Sequence, residues 1–168
     1  MRIGTRLAAK AMAGIMACGL AYGQSFSDPP SSGRTEAVRS AAVQAERELF
    51  AAVNEARRNQ GMSPLRWNES LAKAARRHAA AMAEHGSAQH GFEGERSLSV
   101  RVKQTGAHFV WLSENVTQGP KPDFIHTQFM KSPGHRANIL DTDMNSIGVG
   151  VVEEGGQFFA VEDFADLR

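Results

Sequence analysis

Two histidines and one glutamate are the side chains best suited to chemistry in this 168-residue chain. His90 and His135 each stand beside a glycine, in stretches that favour loops, where an imidazole is free to point into a cleft. Glu114 is a lone acid within an otherwise apolar stretch, and a carboxylate there needs a partner if it is buried. Two imidazoles and one carboxylate are enough for an open zinc-type site with one position left for water. The alternative is that these side chains only hydrogen-bond to one another and lock the loops together.

The other four histidines have simpler interpretations. His78 falls on the inner face of a predicted helix and is expected to be a core residue with one satisfied hydrogen bond. His85 ends the same helix, where a cation suits the helix dipole. His108 stands at a predicted strand entry without an acid close by, and His126 is expected to pack or to lie on the surface.

Composition and missing motifs exclude several function classes. The formal net charge is +1, from 19 Lys+Arg against 18 Asp+Glu, which argues against a nucleic-acid-binding protein. The only cysteine is Cys18, so a multi-cysteine zinc site and an internal disulfide framework are ruled out. The sequence contains neither a Gly-x-Ser-x-Gly elbow nor a Gly-x-x-x-x-Gly-Lys phosphate loop. The Gly148-Val149-Gly150 segment is not followed by a predicted helix and is therefore no dinucleotide fingerprint.

The first 23 residues have the features of an export signal. A basic beginning precedes a short apolar run over residues 11–21, and small residues lead to a cleavage position after Gly23. A lipoprotein acylated at Cys18 is the alternative, and only that alternative predicts a membrane attachment. Without residues 1–23 the balance becomes 16 Lys+Arg against 18 Asp+Glu, which is slightly acidic. The mature protein is therefore expected to be secreted or periplasmic.

A linker and a single domain are predicted to follow. Residues 24–44 are interpreted as a flexible linker and the start of the first helix, because residues 25–34 are rich in Ser, Pro and Gly. Residues 45–166 form the domain. Its predicted elements are helices over 35–60, 68–85, 97–104 and 122–131, an extended segment over 108–116, and a hairpin of 147–152 with 157–164. Helices followed by a hairpin indicate an α+β fold with helices packed on an antiparallel sheet.

Several motifs, taken in order, resemble a known family. They are Asn54-Glu55-Ala56-Arg57, Pro64-Leu65-Arg66-Trp67, His90, Ser113-Glu114-Asn115, Ser132-Pro133-Gly134-His135-Arg136-Ala137-Asn138-Ile139-Leu140 and Ile147-Gly148-Val149-Gly150. The chain resembles the SCP-like domain of the CAP superfamily of cysteine-rich secretory proteins, antigen 5 and pathogenesis-related 1 proteins, in its bacterial, disulfide-free branch. The resemblance covers about residues 45–166. It implies a three-layer α-β-α sandwich with a central antiparallel sheet.

The resemblance also implies a cleft lined by two histidines and up to two acids, which in some members binds a divalent metal such as zinc. His90 matches the first cleft histidine, Glu114 the acid of the Gly-Glu-Asn motif, and His135 the histidine of the Ser-Pro-Gly-His-Arg motif. Two positions depart from the family pattern. Phe129 stands where a tryptophan is usual, and Glu162 takes a glutamine position, where it either adds a carboxylate to the site or faces water.

Three functions remain open at this stage. The first is a secreted binding module, expected as a monomer, whose His/Glu cleft holds a lipid, sterol, peptide or cell-envelope ligand with or without a divalent metal. The second is an extracellular hydrolase in which a metal-bound water attacks and Glu114 acts as general base. The third is a non-catalytic structural domain in which the His/Glu cluster only holds loops together.

Overall fold

The computed structural model describes residues 31–168, so the predicted signal peptide, its cleavage position and Cys18 lie outside the described residues. The elements are α1 (Ser31–Asn59), β1 (Arg66–Trp67), α2 (Glu69–His85), α3 (Leu98–Lys103), β2 (Phe109–Gly119), α4 (Pro122–Lys131), α5 (Pro133–Ile139), β3 (Ser146–Glu154) and β4 (Gln157–Leu167). This arrangement confirms the predicted α+β class. No helix within the described part of the chain is long and apolar enough to cross a bilayer.

Residues 31–168 form one four-stranded sheet in the order β1-β3-β4-β2. The pairs β3·β4 and β2·β4 are antiparallel, whereas the two-residue β1 pairs in parallel with β3. The predicted hairpin is confirmed, and its turn is Gly155-Gly156, with φ of 60° and 75°. Two successive positive φ angles are what a two-residue hairpin turn needs to match the twist of its strands, and glycine adopts them without strain. β2 and β1 are therefore the two outer strands.

Helices cover both faces of the sheet, which gives the three-layer α-β-α sandwich. α2 and α3 lie on one face, while α1, α4 and α5 lie on the other. The apolar core on the α1 side is the larger one and includes Leu49, Phe129, Ile147 and Phe164. Side chains alternate between the faces along each strand, so neighbouring residues of β2 and β4 serve different layers.

The boundaries of α2 follow its sequence signals. The Asn68 side chain accepts a hydrogen bond from the Leu71 backbone N–H at 3.0 Å, and Gly86 ends the helix in the left-handed conformation. The helix then lies directly on β3. A Cβ atom added at Gly148 would lie 2.0 Å from the Ala72 nitrogen, and one at Gly150 would lie 2.1 Å from the Arg76 nitrogen. Only glycine permits this approach of helix to strand.

Two predicted boundaries were wrong. α1 begins at Ser31, so residues 31–34, which were assigned to the flexible linker, are helical. The first turn of a helix leaves its N–H groups without intrahelical acceptors in any case, so Gly and small polar residues are tolerated there. Ser132-Pro133-Gly134 does not lead into a loop, because Pro133 opens α5 as its first helical residue. His135 therefore lies in the first turn of a helix rather than in a loop.

Candidate functional site

Glu114 lies on the outer strand β2, on the face covered by α2 and α3. Its cross-strand partner on β4 is Asp163, and both residues are buried. His90 stands on the loop after α2 and is largely exposed, with its Nδ1 atom 3.0 Å from Glu114 Oε1. The structure thus brings His90 and Glu114 together, across 24 residues of sequence.

Arg101 of α3 supplies the cation that this site needs, and the sequence analysis missed it. Its Nη2 donates to Glu114 Oε2, and its Nη1 lies 3.7 Å from Glu95 Oε1. Arg101 is buried, so its charge is poorly screened by water. The sequence indicates the role of Arg101 only through its position on α3, next to Val102, the other buried residue of that helix.

His78 is a core residue as predicted, but it belongs to the same site. Its Nδ1 lies 2.7 Å from Glu95 Oε1 and its Nε2 lies 2.8 Å from the Gln89 carbonyl oxygen, so both ring nitrogens have partners rather than one. Nε2 is also 4.0 Å from Glu114 Oε2. We call the group formed by Glu95, Glu114, Asp163, Arg101 and His78 the Arg101 cluster.

Asp163 is the member of the Arg101 cluster whose negative charge is most costly to bury. It is fully buried, and neither of its carboxylate oxygens has a hydrogen-bond partner among the described residues. Burial raises the pKa of Asp163 well above its usual value, the negative charge of Glu114 raises it further, and Arg101 opposes the shift. A neutral Asp163 leaves Glu114 as the carboxylate that Arg101 pairs with.

The opposite face of the same strand pair carries a different set of contacts, which we call the Asn115 network. Asn115 donates through Nδ2 to Glu162 Oε2 and to the His135 carbonyl oxygen, each at 3.1 Å. Its Oδ1 accepts from Asn138 Nδ2 at 2.9 Å. The network ties α5 to β2 and so fixes where His135 stands.

Glu162 therefore neither faces water nor joins Glu114. It is fully buried on the face of β4 that points away from Glu114, and its Oε1 has no hydrogen-bond partner among residues 31–168. Burial raises the pKa of Glu162 to about 8, and the hydrogen bond from Asn115 only partly opposes the shift. The prediction that this carboxylate might complete the site is not supported by its position.

His135 faces His90 without touching Glu114. The two imidazole centroids are 6.5 Å apart, and the ring of Phe129 packs edge-on against His135 at 5.2 Å. Burial lowers the pKa of His135, and the proximity of His90 lowers it further. The ring is therefore neutral near pH 7, able to accept one hydrogen bond and to donate one.

The predicted three-ligand metal site does not fit this geometry. Among residues 31–168, no three His, Cys, Asp or Glu side chains are placed to hold a metal ion. Glu114 directs one oxygen at His90 and the other at Arg101. In this arrangement Glu114 orients the His90 imidazole.

Comparison with known proteins gives one family. The model of the CAP family, described as the cysteine-rich secretory protein family, matches residues 50–164. An uncharacterized protein of Bacillus subtilis, YkwD, is 33% identical over 111 residues, which are 66% of this chain and 43% of that protein. The chain thus spans less than half of the length of this curated relative.

Solved structures share the fold at low sequence identity. An extracellular, SCP-domain-containing protein of Bacillus anthracis is 21% identical, with a TM-score of 0.72 over 77% of this chain and 43% of that one. An outer surface protein of Borrelia burgdorferi is 19% identical, with a TM-score of 0.69 over 74% of this chain and 94% of that one. Both likenesses concern the fold.

Proposed function

Because this chain belongs to the CAP family of cysteine-rich secretory proteins, we propose that it is an extracellular binding module that holds an extended peptide segment along β2. The proposed location rests on the predicted signal peptide and on matched relatives described as extracellular or outer-surface proteins. The peptide would come from a partner in the cell envelope. Peptide is one of the ligand classes left open by the sequence, and the outer strand favours it.

One observation carries the proposal: β2 is an outer strand with a large aromatic side chain in solvent. Within residues 31–168 the strand pairs only with β4, and Trp111 is 62% exposed, next to Val110 at 41%. An outer strand offers backbone donors and acceptors to an added strand, and neighbouring side chains give selectivity. Trp111 would supply the apolar contact at one end of such a peptide.

The histidine pair would supply the polar contacts at the other end. Trp111 and Glu114 are three residues apart on β2, which corresponds to about 10 Å along a strand. His90 is oriented by Glu114, and His135 is neutral and faces it. A peptide of four to six residues is therefore long enough to touch both Trp111 and the imidazoles, at about 3.3 Å per residue.

The hydrolase alternative is less favoured because of the surroundings of Glu114. A general base needs a carboxylate that reaches the attacking water, and both Glu114 oxygens are engaged by His90 and Arg101. Binding without hydrolysis agrees better with this arrangement.

The test starts from peptides of twelve random residues selected on the immobilised domain. We expect the selected peptides to lose about tenfold or more in affinity with Trp111→Ser, since exposed aromatic anchors dominate such contacts. Phe124→Ser is the matched control, because Phe124 is also exposed, at 39%, but lies beside Gly119 at the other end of β2. Equal affinity for the Trp111→Ser variant would contradict the proposal, and cleavage of the peptides would favour the hydrolase.

A further inference from the structure

A cavity of about 490 Å³ opens at the β1 edge of the sheet. Because the strand order is β1-β3-β4-β2, this edge lies opposite the one that carries the Arg101 cluster. The cavity is lined by the end of α1, the following loop, β1 and the loop before β3. Its volume falls within the range of about 300–1,000 Å³ that is usual for small-ligand sites.

Arg57 places a buried guanidinium in the wall of this cavity. The residue is only 2% exposed, and its Nε donates to the Ser63 carbonyl oxygen at 2.9 Å. Its Nη1 donates to the carbonyl oxygens of Ile139 at 2.9 Å and Asp141 at 2.8 Å. Within residues 31–168, Arg57 Nη2 has no hydrogen-bond acceptor. This nitrogen is also not fully buried. Nη2 therefore keeps two N–H groups at the cavity surface.

A second cation and two thioether side chains complete the wall. Arg66 of β1 is exposed and lines the cavity, and its guanidinium has no partner among the described residues. Met62 and Met144 line the same space. Methionine adapts its shape to apolar groups, whereas two arginines match a carboxylate. Among residues 31–168 no acidic side chain lines the cavity, although the Asp141 carboxylate acts on Arg57 and opposes the lowering of its pKa by burial.

We propose that this cavity binds the terminal carboxylate of a peptide that ends in an apolar residue. The carboxylate would accept hydrogen bonds from Arg57 Nη2 and from Arg66, and the last side chain would pack on Met62 and Met144. The site is separate from the β2 edge and does not depend on the function proposed for that edge.

The test uses methyl NMR of the two methionines in the intact domain. Acetyl-Ala-Leu with a free carboxylate is expected to shift the Met62 and Met144 methyl signals saturably, with a Kd of about 0.1–1 mM, as suits a ligand of this size. The amidated peptide acetyl-Ala-Leu-NH2 has the same shape without the charge. We expect it to bind about tenfold more weakly or not at all.

Matched variants separate the two arginines of this region. Arg66→Gln should weaken binding of acetyl-Ala-Leu about threefold or more, because the exposed guanidinium is a ligand contact rather than part of the fold. Arg58→Gln is the control, since Arg58 is exposed on α1 but does not line the cavity. Equal affinity for the amidated peptide or for Arg66→Gln would overturn the proposal, as would unshifted methionine signals at about 10 mM peptide. Trp111→Ser should leave this binding unchanged, which distinguishes it from the β2 edge.

Discussion

The two faces of the β2·β4 strand pair hold buried carboxylates in opposite ways. On the α2 side, Glu114 pairs with the Arg101 cation beside a neutral Asp163, so this layer contains an ion pair. On the α5 side, the Asn115 amide is the one hydrogen-bond partner that residues 31–168 give to Glu162, and burial raises the pKa of Glu162 to about 8. The ionic face reaches solvent at His90, and the neutral face carries the exposed side chain of Trp111. The two faces therefore differ in charge: an ion pair lies toward α2 and α3, whereas uncharged amide contacts tie α5 to the sheet.

The largest expected effect comes from removing the cation of the ionic face. Arg101→Met keeps the length of the side chain but leaves Glu95 and Glu114 without their counter-charge. We expect a loss of about 3–5 kcal/mol in the free energy of unfolding, measured with urea, because an unpaired buried charge is costly. Arg96→Met is the control on the same segment, where an exposed arginine should change stability by less than about 0.5 kcal/mol. A loss below about 1 kcal/mol for Arg101→Met would mean that the ionic face is well hydrated.

Glu162→Gln tests whether the other face is neutral. The folded pKa of about 8 lies above the ordinary 4.5, so the folded protein holds an extra proton between these values and loses stability as the pH rises through that window. The variant removes this loss. Relative to the parent, it should gain about 2–4 kcal/mol in the free energy of unfolding between pH 5 and pH 8, at about 1.4 kcal/mol per pKa unit. A pH-independent difference would show that Glu162 is ionised in the fold and stabilised there.

Asn138→Ala should break the neutral network with a smaller effect. The substitution removes the donor to Asn115 Oδ1, and with it one buried hydrogen bond. We expect a loss of about 1–2 kcal/mol in unfolding free energy. The position of His135 depends on this network, so its imidazole NMR signals should shift while those of His78 stay in place. Equal shifts at both histidines would mean that the two faces are coupled.

His90→Ala should have the smallest effect on the fold. The His90 side chain is 62% exposed, and Glu114 keeps its bond to Arg101 when the imidazole is lost. We expect a change within about 0.5 kcal/mol in urea unfolding, together with weaker binding of peptides selected on the β2 edge. A loss of about 2 kcal/mol would instead favour the structural interpretation, in which the histidines hold the loops together.

The sequence predicted those parts of the fold that depend on local signals. Asn68 and Gly86 bound α2 because capping chemistry acts over three or four residues, and the Gly155-Gly156 turn specifies the hairpin in the same way. α5 was missed because Ser-Pro-Gly is typical both of a break and of a helix start. The hydrogen bond from Asn138 to Asn115 favours the helix over the break, and this contact exists only in the folded protein.

The candidate site was predicted in its residues but not in its chemistry. His90 and Glu114 meet as expected, whereas Arg101 and the His78–Glu95 pair could not be foreseen. These contacts join residues that are 13–24 positions apart through a loop and a short helix, and no periodic pattern carries that information. Because Arg101 pairs with Glu114, one of the three predicted metal ligands is part of an ion pair in this structure.

The two glycines of β3 also influence which parts of the domain open locally. Gly148 and Gly150 bring the α2 backbone against the strand without intervening side chains, whereas α5 is held by the Asn115 and Asn138 amides and by the buried side chain of Ile139. Local opening follows the weakest contacts. The backbone amides of α2 and β3 should therefore exchange with deuterium only upon global unfolding, while those of α5 exchange through smaller fluctuations. His135 belongs to α5, the segment that is expected to open first. The side of the domain near His135 can therefore adjust to a ligand while α2 and β3 stay packed together.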